Sequence, residues 1–277
     1  MKIDYHLHNH FSPDSQEDTR EIIREASEKG IREICITNHA EQHDKTTGKS
    51  FFDGSEARER FNAIKAEIDE VQRDFPGVCI GFGAELEYVT ERMTEMTSFV
   101  NDTDFDFILG SVHIVNDIII SSHKFADELF SKTDEMTAYK AYFENLLKLV
   151  SWGHFDVVAH FDIIKKYGSK FYGPFDPEKY KDQIMRILNL MAEKGIGLEL
   201  NTNCLSEKCH ELFPHPAILR WALSAGIVNF TLGSDAHRKN HVGQNIDQAI
   251  ILAKEAGILN ISTYKKRKPT HHLLKVA

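Results

Sequence analysis

Short runs of β-branched and aromatic residues alternate along this chain with longer stretches whose apolar positions recur every three or four residues. That alternation of periods predicts strand–helix units assembled into a parallel sheet. The first strand falls at 2–8, with Tyr5 and Leu7 on one face and His6 and His8 on the other, because strand side chains alternate. A helix follows at 19–29, its Ile22, Ile23 and Ala26 aligned and Gly30 as its stop. Further strands are expected at 33–39, 78–87, 106–113, 155–160, 196–201 and 228–235. The intervening helices are expected at 55–75, 90–101, 134–152, 176–194 and 214–225, and a last one at 243–256 precedes a short edge at 260–264. The polar stretch 40–54 reads as a loop, either a lid or a surface excursion. The insertion 114–131 carries Ile118, Ile119 and Ile120 and reads as a short extra strand or an interface edge. No repeat and no Pro- or Ser-rich linker divides the chain, so residues 1–277 are expected to form one α/β domain of about barrel size.

Composition narrows the partners. With 42% hydrophobic and 27% charged residues, the chain can bury a full core in water. A net charge of −9 leaves no broad footprint for nucleic acid. The basic run Lys265, Lys266, Arg267 and Lys268 reads as a solvated tail. The 4 cysteines show no C-x-x-C spacing; Cys35 and Cys79 lie in apolar strand runs and read as buried thiols. Their placement fits a reducing cytosol better than a disulfide framework, no signal peptide precedes the first strand, and no apolar run approaches a membrane span. The expectation is a cytoplasmic protein with no membrane partner. The unusual number is 15 histidines.

Where they fall suggests chemistry. The expected C-terminal strand ends carry His6 and His8, His39, Glu85, His113, His160, Asn201, and then Asp235 with His237. In a βα barrel those ends converge on the face where active sites are built. One such histidine is ordinary, but structural histidines have no reason to choose one end of a sheet repeatedly. Imidazole and carboxylate without thiolate suit Zn²⁺, Mn²⁺ or Fe²⁺, with imidazole favouring zinc. The candidates exceed the needs of one tetrahedral ion, and Glu85 can bridge two. Two or three ions about 3.5–4 Å apart would activate a water and hold substrate oxygens, the usual arrangement for phosphoester hydrolysis.

Several stretches resemble a known family: His6-Leu-His8, Asp14 in Phe-Ser-Pro-Asp, Thr37-Asn-His39, Gly83-Ala-Glu85, Gly110-Ser-Val-His113, His160 and Gly233-Ser-Asp235-Ala-His237. In this order and over the whole chain they are similar to the motifs of the PHP (polymerase and histidinol phosphatase) metallohydrolases. Within that family the chain is most similar to the histidinol-phosphate phosphatases, through 160–168, 198–202, 233–238 and Val242-Gly243. The resemblance implies a distorted (β/α)₇ barrel with a trinuclear centre. Carried over by position, one ion would take His6, His8, Glu85 and Asp235. A second would share Glu85 and add His113 and His160, and a third would take Asp14, His39 and His237. Asp14 stands where the family often has histidine, and Asn38 where an aspartate is common.

The implied activity is hydrolysis of L-histidinol phosphate in histidine biosynthesis, with Asp235, His237 and Glu85 as catalytic candidates. A phosphate site needs cations, and Lys166 (or its neighbour Lys165), Lys208 and Arg238 lie just past the relevant strand ends. Ser206 occupies a region where the family commonly has arginine. Glu87, on the face of Glu85, is the candidate for a cationic substrate amine, with a simple salt bridge as the alternative. His10, His43, His123 and His154 are left over, His43 being a candidate lid contact. Two rival readings stand beside this one. The first is another PHP phosphoesterase acting on phosphotyrosine protein, nucleotide or nucleic-acid ends; the second is a metal-binding regulatory protein with a degenerate site, against which the intact ligand positions argue. Nothing in the sequence fixes the oligomeric state.

Overall fold

The computed structural model describes residues 1–43, 50–206 and 211–274. Seven parallel strands follow one another around a nearly closed barrel: β1 (Ile3–Leu7), β2 (Glu33–Ile36), β3 (Cys79–Glu87), β4 (Phe107–Ser111), β5 (Val157–Val158), β6 (Gly197–Asn201) and β7 (Phe230–Gly233). Neighbours in sequence are neighbours in space, as connections of helix length between parallel strands allow. β1 and β7 meet through a parallel bridge between Leu7 and Ala236, with His8 N donating to Ala236 O at 3.0 Å.

The helices cover the outside of this barrel. Helix α1 (Thr19–Glu28) buries Ile22, Ile23 and Ala26, and the Asp18 carboxylate caps it by accepting from Arg20 N and Glu21 N. Helix α2 (Gly54–Val71) packs on β3, and α3 (Met93–Asp102) packs on α2. The insertion after β4 forms a tight hairpin, Ile114–Val115 with Ile118–Ile119, turning at Asn116 and Asp117 with positive φ. It continues into α4 (His123–Lys132), a helix the apolar pattern did not predict. Helix α5 (Glu135–Trp152) buries Tyr139, Phe143, Leu146 and Val150, and its Tyr139 and Phe143 rings join Phe175 and Tyr180 in an aromatic cluster. Helix α6 (Lys165–Tyr172) is a second unpredicted element. α7 (Lys181–Lys194), α8 (Pro216–Ala225) and α9 (Ile246–Ala256) complete the ring.

Three expectations need correction. The basic run is no solvated tail: it turns a hairpin of β8 (Asn260–Lys265) and β9 (Lys268–Leu273). This hairpin closes the floor of the barrel, Lys265 pairing with Asp106 at 2.9 Å and Arg267 with Asp156 at 3.0 Å, while Tyr264 N donates to the Tyr5 hydroxyl at 2.9 Å. Carboxylates at the N-terminal strand ends thus recruit the charge that looked free. Cys35 is a buried thiol, but Cys79, at the first position of its strand, is exposed, and Cys204 is disulfide-bonded. The strands also stop earlier than the pattern suggested, before His39, His113, His160 and Asp235. Of the expected loop 40–54, Gln42–His43 pairs with Ser50–Phe51, and residues 44–49 lie outside the described residues.

Candidate metal centre

Those shortened strands explain how the candidate ligands reach one point. Strict in–out alternation would send consecutive polar side chains apart, so the backbone leaves the sheet and turns them across the mouth. His160 (φ 25) and Asp235 (φ 54) do so in the left-handed region, which non-glycine residues adopt at a cost and which recurs at functional sites. His6 and Glu85 stay within or beside their strands, and Asp14 comes from the loop before α1.

The side chains form three clusters. Glu85 Oε2 lies 3.2 Å from His6 Nε2 and 3.6 Å from His8 Nε2, and Asp235 Oδ1 lies 3.6 and 3.5 Å from the same two nitrogens. The other Glu85 oxygen, Oε1, lies 3.0 Å from His160 Nε2 and 3.4 Å from His113 Nε2, and these two nitrogens are 3.1 Å apart. Asp14 Oδ2 lies 3.0 Å from His237 Nε2 and 3.4 Å from His39 Nε2. Glu85 therefore stands between the first two clusters, offering one oxygen to each. Donor atoms at this spacing could hold several divalent ions.

The chemistry of the donors fits such ions. His6 Nε2 and His8 Nε2 are buried with no hydrogen-bond partner, an expensive arrangement for a polar nitrogen unless a cation takes its lone pair. On the far side of several of the ligand rings the other nitrogen is engaged. His6 Nδ1 meets Glu199 Oε1 at 2.7 Å and His113 Nδ1 meets Glu87 Oε2 at 2.8 Å, whereas His39 Nδ1 turns toward the centre, 3.1 Å from Glu85 Oε2 and 3.3 Å from Glu41 Oε1. His8 Nδ1 faces the Ser12 hydroxyl at 3.2 Å, and His237 Nδ1 the Asp235 carbonyl oxygen at 3.0 Å. The far-side contacts fix the tautomer that leaves Nε2 to the centre.

Glu199 and Glu41 were not singled out from the sequence. For Glu199 a signal existed: it precedes Asn201 by two residues on one strand, so both face inward. Its carboxylate also accepts from His160 N at 2.7 Å, linking ligands of the first two clusters. The fit requires Gly233, because a Cβ there would lie 2.1 Å from Glu199 Oε1 and 2.6 Å from His6 Cβ. Asn38 is buried and exchanges hydrogen bonds with Asn9, anchoring the β1 and β2 ends to each other.

Charge is strongly coupled across the centre. Burial alone would raise the Glu85 carboxyl, but His6, His39 and His113 around it hold it well below the usual carboxylate range. Burial would lower His113, yet Glu85 and Glu87 push it up to about 9. His6 is likewise raised, by Glu199, Asp235 and Glu85 against its own desolvation. His8 goes the other way, to about 3, through burial and the neighbouring imidazoles of His237, His39 and His6. Protons and divalent cations therefore compete for the same nitrogen and oxygen atoms.

A cleft of about 650 Å³ opens over the clusters, lined by Asp14, His39, Glu85, His113, Asp235 and His237. Lys166 and Arg238 line it too, and Lys166 Nζ donates to Asn203 Oδ1 at 2.7 Å. Lys165 does not: it is buried, held by Asp162 at 3.0 Å and Glu211 at 3.1 Å. Glu87 corrects another expectation. It is fully buried behind His113, accepting from His113 N as well as Nδ1, so its carboxylate faces no substrate amine. Lys208 lies outside the described residues. Lys124, Phe125 and Ile119 of the insertion line the cleft without having been foreseen. His10 lies 3.5 Å from Glu67, His123 packs on Tyr167 and His154 on Trp152, away from the clusters.

Comparison with known proteins bears on this arrangement directly. The histidinol-phosphatase of Lactococcus lactis subsp. lactis is 27% identical over 269 residues, 96% of each chain. A probable histidinol-phosphatase of Clostridium acetobutylicum is 28% identical over 262 residues, 93% of this chain and 95% of that one. The crystal structure of the L. lactis histidinol phosphate phosphatase, complexed with zinc, L-histidinol and phosphate, matches with a TM-score of 0.85 at 26% identity, covering 97% of this chain and 98% of that one. The Listeria monocytogenes protein, with a TM-score of 0.76 at 20% identity, shares the fold. The family model for the PHP domain matches residues 4–203, a span that carries the ligand-bearing ends of β1 to β5, and on that match the chain belongs to the PHP domain family.

Proposed function

We propose that this protein is a divalent-metal-dependent phosphomonoesterase that hydrolyses L-histidinol phosphate to L-histidinol and phosphate. The observation that carries the reading is the set of three donor clusters, joined through Glu85, at the base of a cleft in a chain similar end to end to an L. lactis enzyme whose structure holds zinc, L-histidinol and phosphate. His6, His8, Glu85 and Asp235 would hold one ion, Glu85, His113 and His160 a second, and Asp14, His39 and His237 a third, zinc being favoured by the imidazole count over manganese or iron. Bound divalent ions supply a water acidic enough to act as nucleophile and positive charge against the phosphoryl oxygens.

The chain's own groups do the rest. Asp235 and Glu85 would hold the ions, and the Asp235 carboxylate would also accept a hydrogen bond from the attacking water and so orient it. Lys166 and Arg238 bind phosphoryl oxygens from the cleft wall, and Lys208 is assigned there on sequence alone. Ile119 and Phe125 give the leaving group an apolar wall. Since Asp235 and His237 follow residue 203, the whole chain from 1 to 277 is read as one catalytic unit. No helix among the described residues is long and apolar enough to cross a membrane, and we assign the enzyme to the cytoplasm with a small phosphomonoester as its partner.

The test is turnover of histidinol phosphate against p-nitrophenyl phosphate, a phosphotyrosine peptide and a short DNA, each with added Zn²⁺ or Mn²⁺. Histidinol phosphate should give the highest kcat/KM, and Asp235→Asn should abolish most of it. Equal turnover of any other substrate defeats the substrate assignment, and metal-independent turnover defeats the mechanism.

A further inference from the structure

We propose that Asp4, which touches neither the cleft nor any candidate ligand side chain, is a positioning residue that sets the metal affinity of the cluster formed by His6, His8 and Asp235. Asp4, His6 and His8 alternate on the inward face of the first strand, so the Asp4 carboxylate lies one step beneath His6 inside the barrel. It is fully buried, and among the described residues no lysine or arginine pairs with it. A buried carboxylate without a cation is costly unless hydrogen-bond donors satisfy it. Here the donors are Ser234 N at 2.8 Å, the Ser234 hydroxyl at 2.5 Å, Gly243 N at 2.8 Å and His6 N at 3.4 Å.

Ser234 and Gly243 are the two ends of the loop that carries Asp235, His237 and Arg238. One carboxylate on β1 therefore clasps both ends of the segment that brings the opposing ligands to His6 and His8. The clasp matters because Asp235 sits in the left-handed region (φ 54) and needs its flanks held. Above the ligands the same two segments are tied by the bridge at Leu7 and Ala236, and by the Ser15 hydroxyl, 3.1 Å from the carbonyl oxygens of His8 and of His237. Asp4 ties them beneath. An asparagine at this position would turn an N–H₂ group toward N–H donors, so at least one contact to Ser234 or Gly243 must open.

The inference rests on the metal centre and not on the substrate, so its test measures metal binding first. Zinc affinity of the metal-stripped protein is measured by competition with a chromophoric chelator for wild type, Asp4→Asn and Ser234→Ala. In parallel, kcat and KM are measured with p-nitrophenyl phosphate. Asp4→Asn should weaken at least one zinc equivalent by about 10–100-fold and lower kcat to a similar extent. KM should stay within about threefold, because Asp4 does not line the cleft. Ser234→Ala, which keeps the backbone donor, should move zinc affinity the same way by a smaller factor. A folded Asp4→Asn protein with unchanged zinc affinity overturns the proposal. If that variant does not fold, unchanged zinc affinity in Ser234→Ala overturns it. Failure of the wild type on histidinol phosphate would strike the substrate assignment and leave this result standing.

Discussion

Replacing Gly233 with alanine is the most informative single perturbation. The new methyl would lie 2.1 Å from Glu199 Oε1 and 2.6 Å from His6 Cβ, distances that no real Cβ contact shows. Neither neighbour yields easily: Glu199 is held at both oxygens, by His6 Nδ1 at 2.7 Å and His160 N at 2.7 Å, and His6 Cβ belongs to β1 itself. Expelling the Glu199 carboxylate forfeits two hydrogen bonds to a charged group, each worth about 1.5–3 kcal/mol, so Gly233→Ala should destabilise by about 3–6 kcal/mol. That is a large share of the ~5–15 kcal/mol that holds a typical domain together. Whatever folds would carry a His6 ring released from its orienting carboxylate, with zinc affinity lower by about 10–100-fold. Denaturant unfolding and zinc competition on the single variant test both numbers. The decisive comparison repeats Gly233→Ala in a Glu199→Ala background, where the carboxylate is already gone and at least half of the stability loss should vanish. An equal loss in both backgrounds would refute the steric argument.

Other consequences can be checked alongside. Burial pushes the Asp156 carboxyl up to about 6 despite the pull of Arg267, so the folded state holds that proton more tightly than the unfolded chain and stability falls as pH rises from the ordinary carboxylate value through 6. Arg267→Ala should therefore cost about 2–3 kcal/mol at pH 8 and clearly less at pH 5, where Asp156 is protonated; equal shifts in Tm at the two pH values would contradict this. Chelation should lower Tm and zinc should restore it, more strongly at pH 8 than at pH 6, because ion binding must displace protons from raised histidines such as His6 and His113; a Tm insensitive to chelator would count against resident ions. Glu87→Gln, acting through His113, should lower kcat with KM nearly unchanged, whereas Lys166→Ala at the cleft wall should chiefly raise KM. The reverse pattern in steady-state kinetics would exchange their roles.

The barrel and its mouth were largely legible from the sequence because two periodic signals coincide. Apolar runs marked the strands, and polar residues at the ends of those runs marked the side facing the centre, as with His39 after Glu33–Ile36 and His113 after Phe107–Ser111. Helices α4 and α6 escaped because both are short: α4 buries only the brief stripe Ala126, Leu129 and Phe130, and α6 fully buries Lys165 and Gly168 while its aromatic residues pack partly exposed against the core. The floor hairpin was misread for a related reason, since Lys265 and Arg267 look solvated until Asp106 and Asp156, more than a hundred residues away, are placed opposite them. Glu87 shows the limit of alternation as a guide. It shares a face with Glu85 and is equally buried, but its contacts to His113 N and Nδ1 hold it behind that ring while Glu85 lines the cleft.

The joining of β1 to β7 has a consequence for how the molecule is made. Asp4 waits for Ser234, Leu7 for Ala236, and the Tyr5 hydroxyl for Tyr264 N, a partner 259 residues further along the chain. During synthesis the first strand therefore emerges long before anything that can close its free edge or complete the ligand set around His6 and His8. Contacts of such sequence separation form late, after most of the chain's entropy has been spent on local βα units. An intermediate spanning the early strands would thus expose both an unpaired edge and a half-built histidine cluster, and loading of metal would be among the last events of maturation.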